Sequence, residues 1–157
     1  MMLRAPIRLA LYQPDIPQNA GTLLRLGACL GVPIEIIGPS GFDLSEKSLR
    51  RAGLDYAERA ALTQHLDYSA FRTTIGEDAR LVLLTVRADV AFQEFQFQTG
   101  DVLMAGRESS GVPDNIHEVA DARIGIPMAE GCRSLNVAVA SAMVVSEALR
   151  QLDGFPG

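Results

Sequence analysis

A chain of 157 residues with 48% hydrophobic content and a net charge of −5 is long enough for one well-filled core. The acidic balance excludes a protein that holds nucleic acid by its overall charge, so any such contact needs a local basic patch. No apolar run of about 18 residues appears and residues 1–6 lack an export signal, so we expect one domain, residues 1–157, in the cytoplasm and without a membrane span.

Cysteine and histidine, the usual ligands of transition metals, are few and widely spaced in this chain. Cys29 and Cys132 are expected to be reduced thiols, because a chain without an export signal stays in a reducing compartment. His65 and His117 stand at no metal-ligand spacing with another His or Cys. We therefore expect no metal site.

The first part of the chain predicts a strand, a loop and a helix. Residues 7–12 (IRLALY) are apolar and β-branched and favour a strand, after which the turn-rich loop QPDIPQN follows. Asn19 is a candidate N-cap for a helix with apolar residues at helical spacing, and Gly31 is its expected C-terminal stop. Residues 32–37 favour a second strand.

A short basic helix is expected next. Asp43 and Glu46 form a capping pair at its start, and Gly53 ends it. The helix carries three cations: Lys47, Arg50 and Arg51. Such a basic run is more often a solvated face than an RNA contact, although it is the best candidate in this sequence for docking RNA.

The middle of the chain predicts further strands and one capped helix. Residues 58–62 favour a weak strand, and Asp67 is the expected cap of a short helix to about Ile75. Residues 80–86 (RLVLLTV) and 101–105 (DVLMA) are near-continuous apolar runs, which are typical of strands buried on both faces of a parallel sheet. The segment between these two strands is ambiguous and is expected to hold at most a helical turn.

The C-terminal part predicts the end of a buried strand at residues 124–126, then a loop and a helix rich in small residues. Arg133, Ser134 and Asn136 lie where the loop turns into the helix, so unpaired backbone N–H groups and a positive dipole end face that loop. Asn136 has an alternative, purely structural role as a partner of backbone groups at the helix start. The small residues 138–142 let another helix, from this or a second subunit, approach closely.

Strands that alternate with helices predict an α/β fold, a mostly parallel sheet with helices on both faces. In such sheets ligands bind beyond the carboxyl ends of the strands. The loops after Leu84, Ala105 and Ile126 are therefore expected to meet at one site.

The loop GRESSGVP, Gly106 to Pro113, has glycines that let its backbone turn sharply and approach a ligand. Val112 and Pro113 stand where a phosphate-binding P-loop needs Lys and Ser or Thr, which disfavours that class of hydrolase. The dinucleotide fingerprint GxGxxG is also missing after the first strand. Taken alone, the loop is as consistent with an ordinary turn as with a ligand site, and Arg25 alone is more often a solvated helix charge.

Three segments taken together resemble the motifs of one family. They are an NxGxxxRL helix (Asn19, Gly21, Arg25, Leu26), a GxExxGxP loop (Gly106, Glu108, Gly111, Pro113) and an IPM…RSLN loop (Ile126, Pro127, Met128, Arg133, Ser134, Leu135, Asn136). We refer to them as the first, second and third motifs. The combination resembles the SPOUT class of RNA ribose 2′-O-methyltransferases and, within it, the short stand-alone TrmL or YibK type that methylates the wobble nucleotide of tRNA. The resemblance extends over essentially the whole chain through three further segments, LYQPDIPQNAG, LRRAGLDY and RQLDGFPG.

The resemblance implies an α/β sheet whose C-terminal segment is threaded into a trefoil knot, against the general rule that chains avoid knots. The knot would bind S-adenosylmethionine. The residues implied around this cofactor are Leu84, Thr85, Gly106, Ile126, Met128, Ser134 and Leu135. They fall at the ends of buried strands and in the loops that follow, which offer the apolar walls and backbone hydrogen bonds that such a cofactor needs.

The implied reaction is displacement of the sulfonium methyl group by the ribose 2′-hydroxyl of nucleotide 34, a cytidine or a modified uridine, in the anticodon stem-loop of tRNA. The implied catalytic residues are Asn19, Arg25, Glu108, Ser134 and Asn136. The family assigns activation of the hydroxyl to the arginine of the first motif, which usually reaches the partner subunit's cofactor in a homodimer.

The chemistry of Arg25 limits what this residue can do. A guanidinium with a pKa above about 12 is a poor proton acceptor, so we interpret Arg25 as an electrostatic clamp that lowers the hydroxyl pKa or holds the adjacent phosphate. Water or phosphate would then take the proton. Asn19 would orient Arg25 or the ribose, and the other polar residues would set the geometry of the loops.

Some positions depart from the family pattern. The second motif reads GRESSG where the TrmL or YibK type tends toward GPETRG, and Ser146 stands where an aromatic residue is often found. These changes affect the expected tRNA contacts more than the methyl transfer. Two alternatives stay open: methylation of another RNA ribose, and a non-catalytic RNA-binding module that has kept the fold.

Overall fold

The computed structural model describes residues 5–42 and 61–157, and these residues form a seven-stranded sheet in which every pairing is parallel. In chain order the elements are β1 (Arg8–Tyr12), α1 (Pro17–Leu30), β2 (Ile34–Ile37), β3 (Leu62–His65), α2 (Tyr68–Ile75), β4 (Leu81–Leu84), β5 (Val90–Ala91), a 3-10 turn (Phe92–Glu94), β6 (Val102–Ala105), α3 (Asp114–Val119), β7 (Ala122–Gly125) and α4 (Val137–Gln151). The strand order is β3-β2-β1-β6-β4-β7-β5. Because β1, β6, β4 and β7 are neighbours, their carboxyl ends share one edge of the sheet.

The helices cover both faces of the sheet, as predicted. Side chains alternate along a strand, so Leu9 and Leu11 join a core with α1 and α4, whereas Ala10 and Tyr12 join a second core with α2 and α3. Strands β4 and β6 divide their side chains in the same way. This explains why their sequences read as continuous apolar runs rather than as alternating ones.

Most predicted strands are confirmed with shorter bounds, since the outer residues of each apolar run lie beyond the paired part of the sheet. The weak strand predicted at residues 58–62 lies mostly outside the described residues. The observed strand, β3, begins at Leu62 and pairs with β2, while residues 58–60 lie outside the described ranges. The ambiguous segment between β4 and β6 contains the short strand β5 as well as the helical turn. Helix α3 was not predicted.

Asn19 does not cap α1, so that prediction is wrong. The helix begins at Pro17, after Ile16, and Asn19 lies within its first turn. A proline at the helix start needs no hydrogen-bond partner for its nitrogen, and the amide of Asn19 is occupied by tertiary partners. The helix stop at Gly31, with a φ of 70°, and the cap of α2 by Asp67, which accepts from the Ala70 N–H, are both confirmed.

The predicted basic helix from Asp43 to Gly53, with Lys47, Arg50 and Arg51, lies outside the described residues. The trefoil knot stays a prediction. None of the helices in the described ranges combines the length and apolar character that a bilayer crossing requires.

Candidate active site

A cavity of about 890 Å³ opens at the carboxyl edge of the sheet. Its walls come from the loops after β4, β6 and β7 and from the starts of α1 and α4. Leu84, Ala105 and Ile126 all line it, which confirms that the three loops meet. The cavity lies where parallel α/β sheets usually bind ligands, and its volume suits a nucleoside-sized molecule.

Every residue that the family resemblance implies around the cofactor lines this cavity: Leu84, Thr85, Gly106, Ile126, Met128, Ser134 and Leu135. Thr85 also shapes the loop after β4, because its N–H donates to the Ile124 carbonyl and its hydroxyl accepts from the Arg87 N–H. The individual cofactor roles of these residues stay predictions.

Two glycines allow the loop backbones to pack closely beside the cavity. A Cβ on Gly106 would lie 2.7 Å from the Gly111 Cα, and one on Gly125 would lie 2.9 Å from the Thr85 carbonyl oxygen. The second motif closes on itself through hydrogen bonds in both directions between Arg107 and Gly111, whose φ of 68° favours glycine. The loop is therefore both a tight turn and part of the cavity wall.

A chain of hydrogen bonds joins the three motifs. The Asn136 amide donates to Asn19 Oδ1 at 3.0 Å, and the Asn19 amide donates to Glu108 Oε1 at 3.4 Å. Asn136 Oδ1 in turn accepts from the N–H groups of Ala138 and Val139 and caps α4. Asn136 thus has the structural role that the sequence left open, and it also holds the first motif to the third.

Ser134 and Arg25 are the two remaining predicted catalytic residues. Ser134 lines the cavity and is exposed in the loop before α4. Arg25 is exposed on α1 and is not among the residues that line the cavity. The structure therefore brings Asn19, Glu108, Ser134 and Asn136 to the cavity of the protomer, but not Arg25.

Asp15, in the loop after β1, is a site residue that the sequence analysis missed. Its carboxylate accepts from the Ser109 hydroxyl at 2.6 Å and forms an ion pair with Arg107 at 3.5 Å. Hydrogen bonds from Glu108 and Ser109 hold the pKa of Asp15 at about 2, while burial raises the pKa of the Glu108 carboxyl above its ordinary value. The position of Asp15 in the sequence could have indicated this role, because an acid just beyond a buried parallel strand faces the ligand edge of the sheet.

Cations collect at the cavity although the chain as a whole is acidic. Arg87, Arg107 and Arg133 all line it. Arg87 is paired with Asp114 and Arg107 with Asp15, so part of this charge is already balanced. The charge at the cavity is therefore mixed, since the acids Asp89 and Glu108 also line it.

Comparison with known proteins gives matches over nearly the whole chain. A family model described as the SpoU rRNA Methylase family matches residues 6–146. A tRNA (cytidine(34)-2′-O)-methyltransferase of Beijerinckia indica is 55% identical over 92% of this chain and 91% of the relative. An Escherichia coli (strain K12) protein of the same name is 44% identical over 96% of both chains.

Solved structures agree with the sequence matches. A structure concerned with the 2-OH methylation of C/U34 on tRNA superimposes with a TM-score of 0.89 and 42% identity, over 94% of this chain and 97% of that chain. An AdoMet-bound rRNA methyltransferase from Sinorhizobium meliloti superimposes with a TM-score of 0.83 and 25% identity, over 93% of this chain and 56% of that chain. The family predicted from the motifs is thereby confirmed: the chain belongs to the SpoU methylase family.

Proposed function

We propose that this protein transfers a methyl group from S-adenosylmethionine to the ribose 2′-hydroxyl of nucleotide 34, a cytidine or a modified uridine, in the anticodon stem-loop of tRNA. The observation that carries the proposal is the meeting of all three motifs at one cavity through the Asn136–Asn19–Glu108 chain. Relatives named for this activity align with this chain over more than nine-tenths of both lengths.

The cavity has the chemistry that S-adenosylmethionine needs. Leu84, Ile126 and Leu135 supply apolar surface, and the loops after three parallel strands supply backbone donors and acceptors. The close backbone packing at Gly106 and Gly125 leaves no room for side chains there. When bound, the cofactor supplies an electrophilic methyl group carried on a sulfonium.

Arg25 would act as the electrostatic clamp on the reacting ribose and its phosphate. Its guanidinium stabilises negative charge that develops on the 2′-oxygen but does not accept a proton. Asn19, in the same helix and fixed between Glu108 and Asn136, holds that helix against the cavity. Ser134 and Asn136 set the geometry of the third motif.

We propose further that the working form is a homodimer. Arg25 is exposed and lies outside the cavity of its own chain, so a second subunit gives it a cavity to act on. A set of exposed apolar side chains near the starts of α1 and α4 supports this arrangement: Ile16, Leu135, Val139 and Met143. We place the protein in the cytoplasm, where tRNA is found, as a single catalytic domain of residues 1–157.

The direct test is incubation of the purified protein with S-adenosylmethionine labelled on its methyl group and bulk tRNA from cells that lack this protein, followed by mapping of the labelled nucleotide. We expect label on the ribose of nucleotide 34. Label on another ribose would support methylation elsewhere in RNA, and no label would leave a non-catalytic RNA-binding module. Either result would overturn the proposal.

The role of Arg25 is tested by Arg25→Ala. Transfer should fall by about a hundredfold or more, as when a preorganised charge-stabilising donor is lost, while calorimetric binding of the cofactor stays nearly unchanged. Arg150→Ala is the matched control, because Arg150 is also an exposed helical arginine outside the cavity but belongs to none of the three motifs. Loss of cofactor binding in Arg25→Ala would show that the residue belongs to the cofactor site instead.

A further inference from the structure

Two carboxyl groups from distant parts of the chain meet beside the cavity. Asp15 follows β1 and Glu108 lies in the second motif, 93 residues later. The backbone N–H of Asp15 donates to Glu108 Oε2 at 3.1 Å, and the two side chains are also within hydrogen-bonding contact of each other. Two ionised carboxylates in such contact would repel, so the pair needs an explanation.

The described donors near the Asp15 side chain all contact the same carboxylate oxygen. Oδ2 accepts from the Ser109 hydroxyl at 2.6 Å and faces the Arg107 guanidinium at 3.5 Å. Oδ1 is buried and accepts no hydrogen bond from the part of the chain that the structure describes. A buried carboxylate oxygen without a donor is costly. A protonated Glu108 would supply the missing donor.

We propose that Glu108 and Asp15 share a single proton, carried by Glu108, whose O–H donates to Asp15 Oδ1, and that Asp15 is thereby a positioning residue for the second motif. The pair holds one proton, on Glu108, and one negative charge, on Asp15. Among the described residues, Arg107 lies beside Asp15 and balances the negative charge of the pair. The other close partners of the pair, Ser109 and Asn19, are neutral.

The electrostatic environment agrees with this assignment of the proton. Burial is the largest cause that raises the pKa of Glu108, and its hydrogen bond with Asp15 raises the pKa further. The same hydrogen bond, followed by that from Ser109, lowers the pKa of Asp15 to about 2. The two groups are pushed in opposite directions, as expected when one holds the proton for both.

The assignment has a consequence for the reaction. While it holds the shared proton, Glu108 cannot serve as the base that takes the proton of a ribose hydroxyl. It keeps enough acceptor capacity to hold the Asn19 amide and the Asp15 N–H. The hydrogen-bond chain then runs from Asp15 through Glu108 and Asn19 to Asn136. Its first link, between Asp15 and Glu108, depends on one proton.

The test is a titration of side-chain carboxyl carbons by ¹³C NMR in the free protein, with the Glu108 signal assigned by its loss in Glu108→Gln. We expect Glu108 to titrate above its ordinary value of 4.5 and Asp15 to stay ionised down to a pH of about 2. A Glu108 midpoint at or below 4.5 would overturn the proposal. No RNA is needed, so this outcome is independent of the proposed methyl transfer.

Asp15→Asn separates the effect of Asp15 from that of burial. The Glu108 midpoint should move down toward its ordinary value, and methyl transfer should fall by about tenfold as the second motif loses its anchor. Asp78→Asn is the control, since Asp78 is an exposed acid outside the cavity lining. An unchanged Glu108 midpoint in Asp15→Asn would mean that burial alone holds the proton and would remove Asp15 from its proposed role. If Asp15→Asn does not fold, Ser109→Ala should still raise the midpoint of Asp15, and an unchanged midpoint would count against the arrangement.

Discussion

At the scale of single residues, Asn136 shows how one amide serves local structure and the site together. Its oxygen caps α4 and its nitrogen donates to Asn19, which lies 117 positions earlier in the chain. The sequence indicated a polar residue at the start of a helix, and capping is the local rule for that position. The bond to Asn19 has no local signal, because it depends on how α1 and α4 pack against the same face of the sheet.

Replacement of Asn136 by alanine should lower the free energy of unfolding by about 1–2 kcal/mol, because the cap is lost and the buried Asn19 oxygen loses its donor. Asn136→Ser should recover part of the loss, since serine is also a good N-cap but is too short to reach Asn19. Urea denaturation measures both. Equal losses in the two variants would show that the cap contributes little.

At the scale of secondary-structure elements, a buried ion pair fixes the strands that carry two of the cavity loops. Arg80 precedes β4 and Asp101 precedes β6, and their side chains form two hydrogen bonds of 2.8 Å. Asp101 is 1% exposed, and Arg80 also stacks over the Phe95 ring. The apolar runs of the two strands were predictable from local sequence, but this pairing between their amino ends was not.

Arg80→Ala should destabilise the protein by about 3 kcal/mol, because Asp101 would remain as a buried charge without its partner. The matched control is Arg87→Ala, whose ion pair with Asp114 is largely exposed; there we expect a loss of about 0.5 kcal/mol or less. Chemical denaturation of the two variants gives the comparison. Similar losses for both would contradict the view that burial makes the Arg80 pair important.

At the scale of the whole molecule, the apolar side chains exposed on α4 are the strongest sign of a second subunit. Val139 and Met143 are 52% and 38% exposed and lie one helical turn apart, next to the cavity loop that carries Leu135. Val119 is 62% exposed on α3, a helix that packs on the opposite face of the sheet through Ile116. This contrast provides a matched pair of sites for testing the proposed dimer.

Val139→Glu should convert the proposed dimer to a monomer, since a charge in an apolar interface must be desolvated without a partner. Methyl transfer should be lost with it, because Arg25 could then no longer reach a partner's cavity. Val119→Glu should keep both properties. Analytical ultracentrifugation and the transfer assay measure the outcome, and a monomeric wild-type protein that is fully active would contradict it.

The sequence by itself determined most of the elements and the fold class, because strand and helix signals are local. The apolar runs of β4 and β6, the Asp67 cap and the Gly31 stop all rest on neighbouring residues, and the three motifs identified the family. Only the tertiary structure decided which side chains are partners. In the structure Asn19 does not cap α1, Arg25 lies outside the cavity, and Asp15 lies against Glu108. The physical reason is that these contacts depend on the order of the strands, which places residues 89 to 117 positions apart within hydrogen-bonding distance.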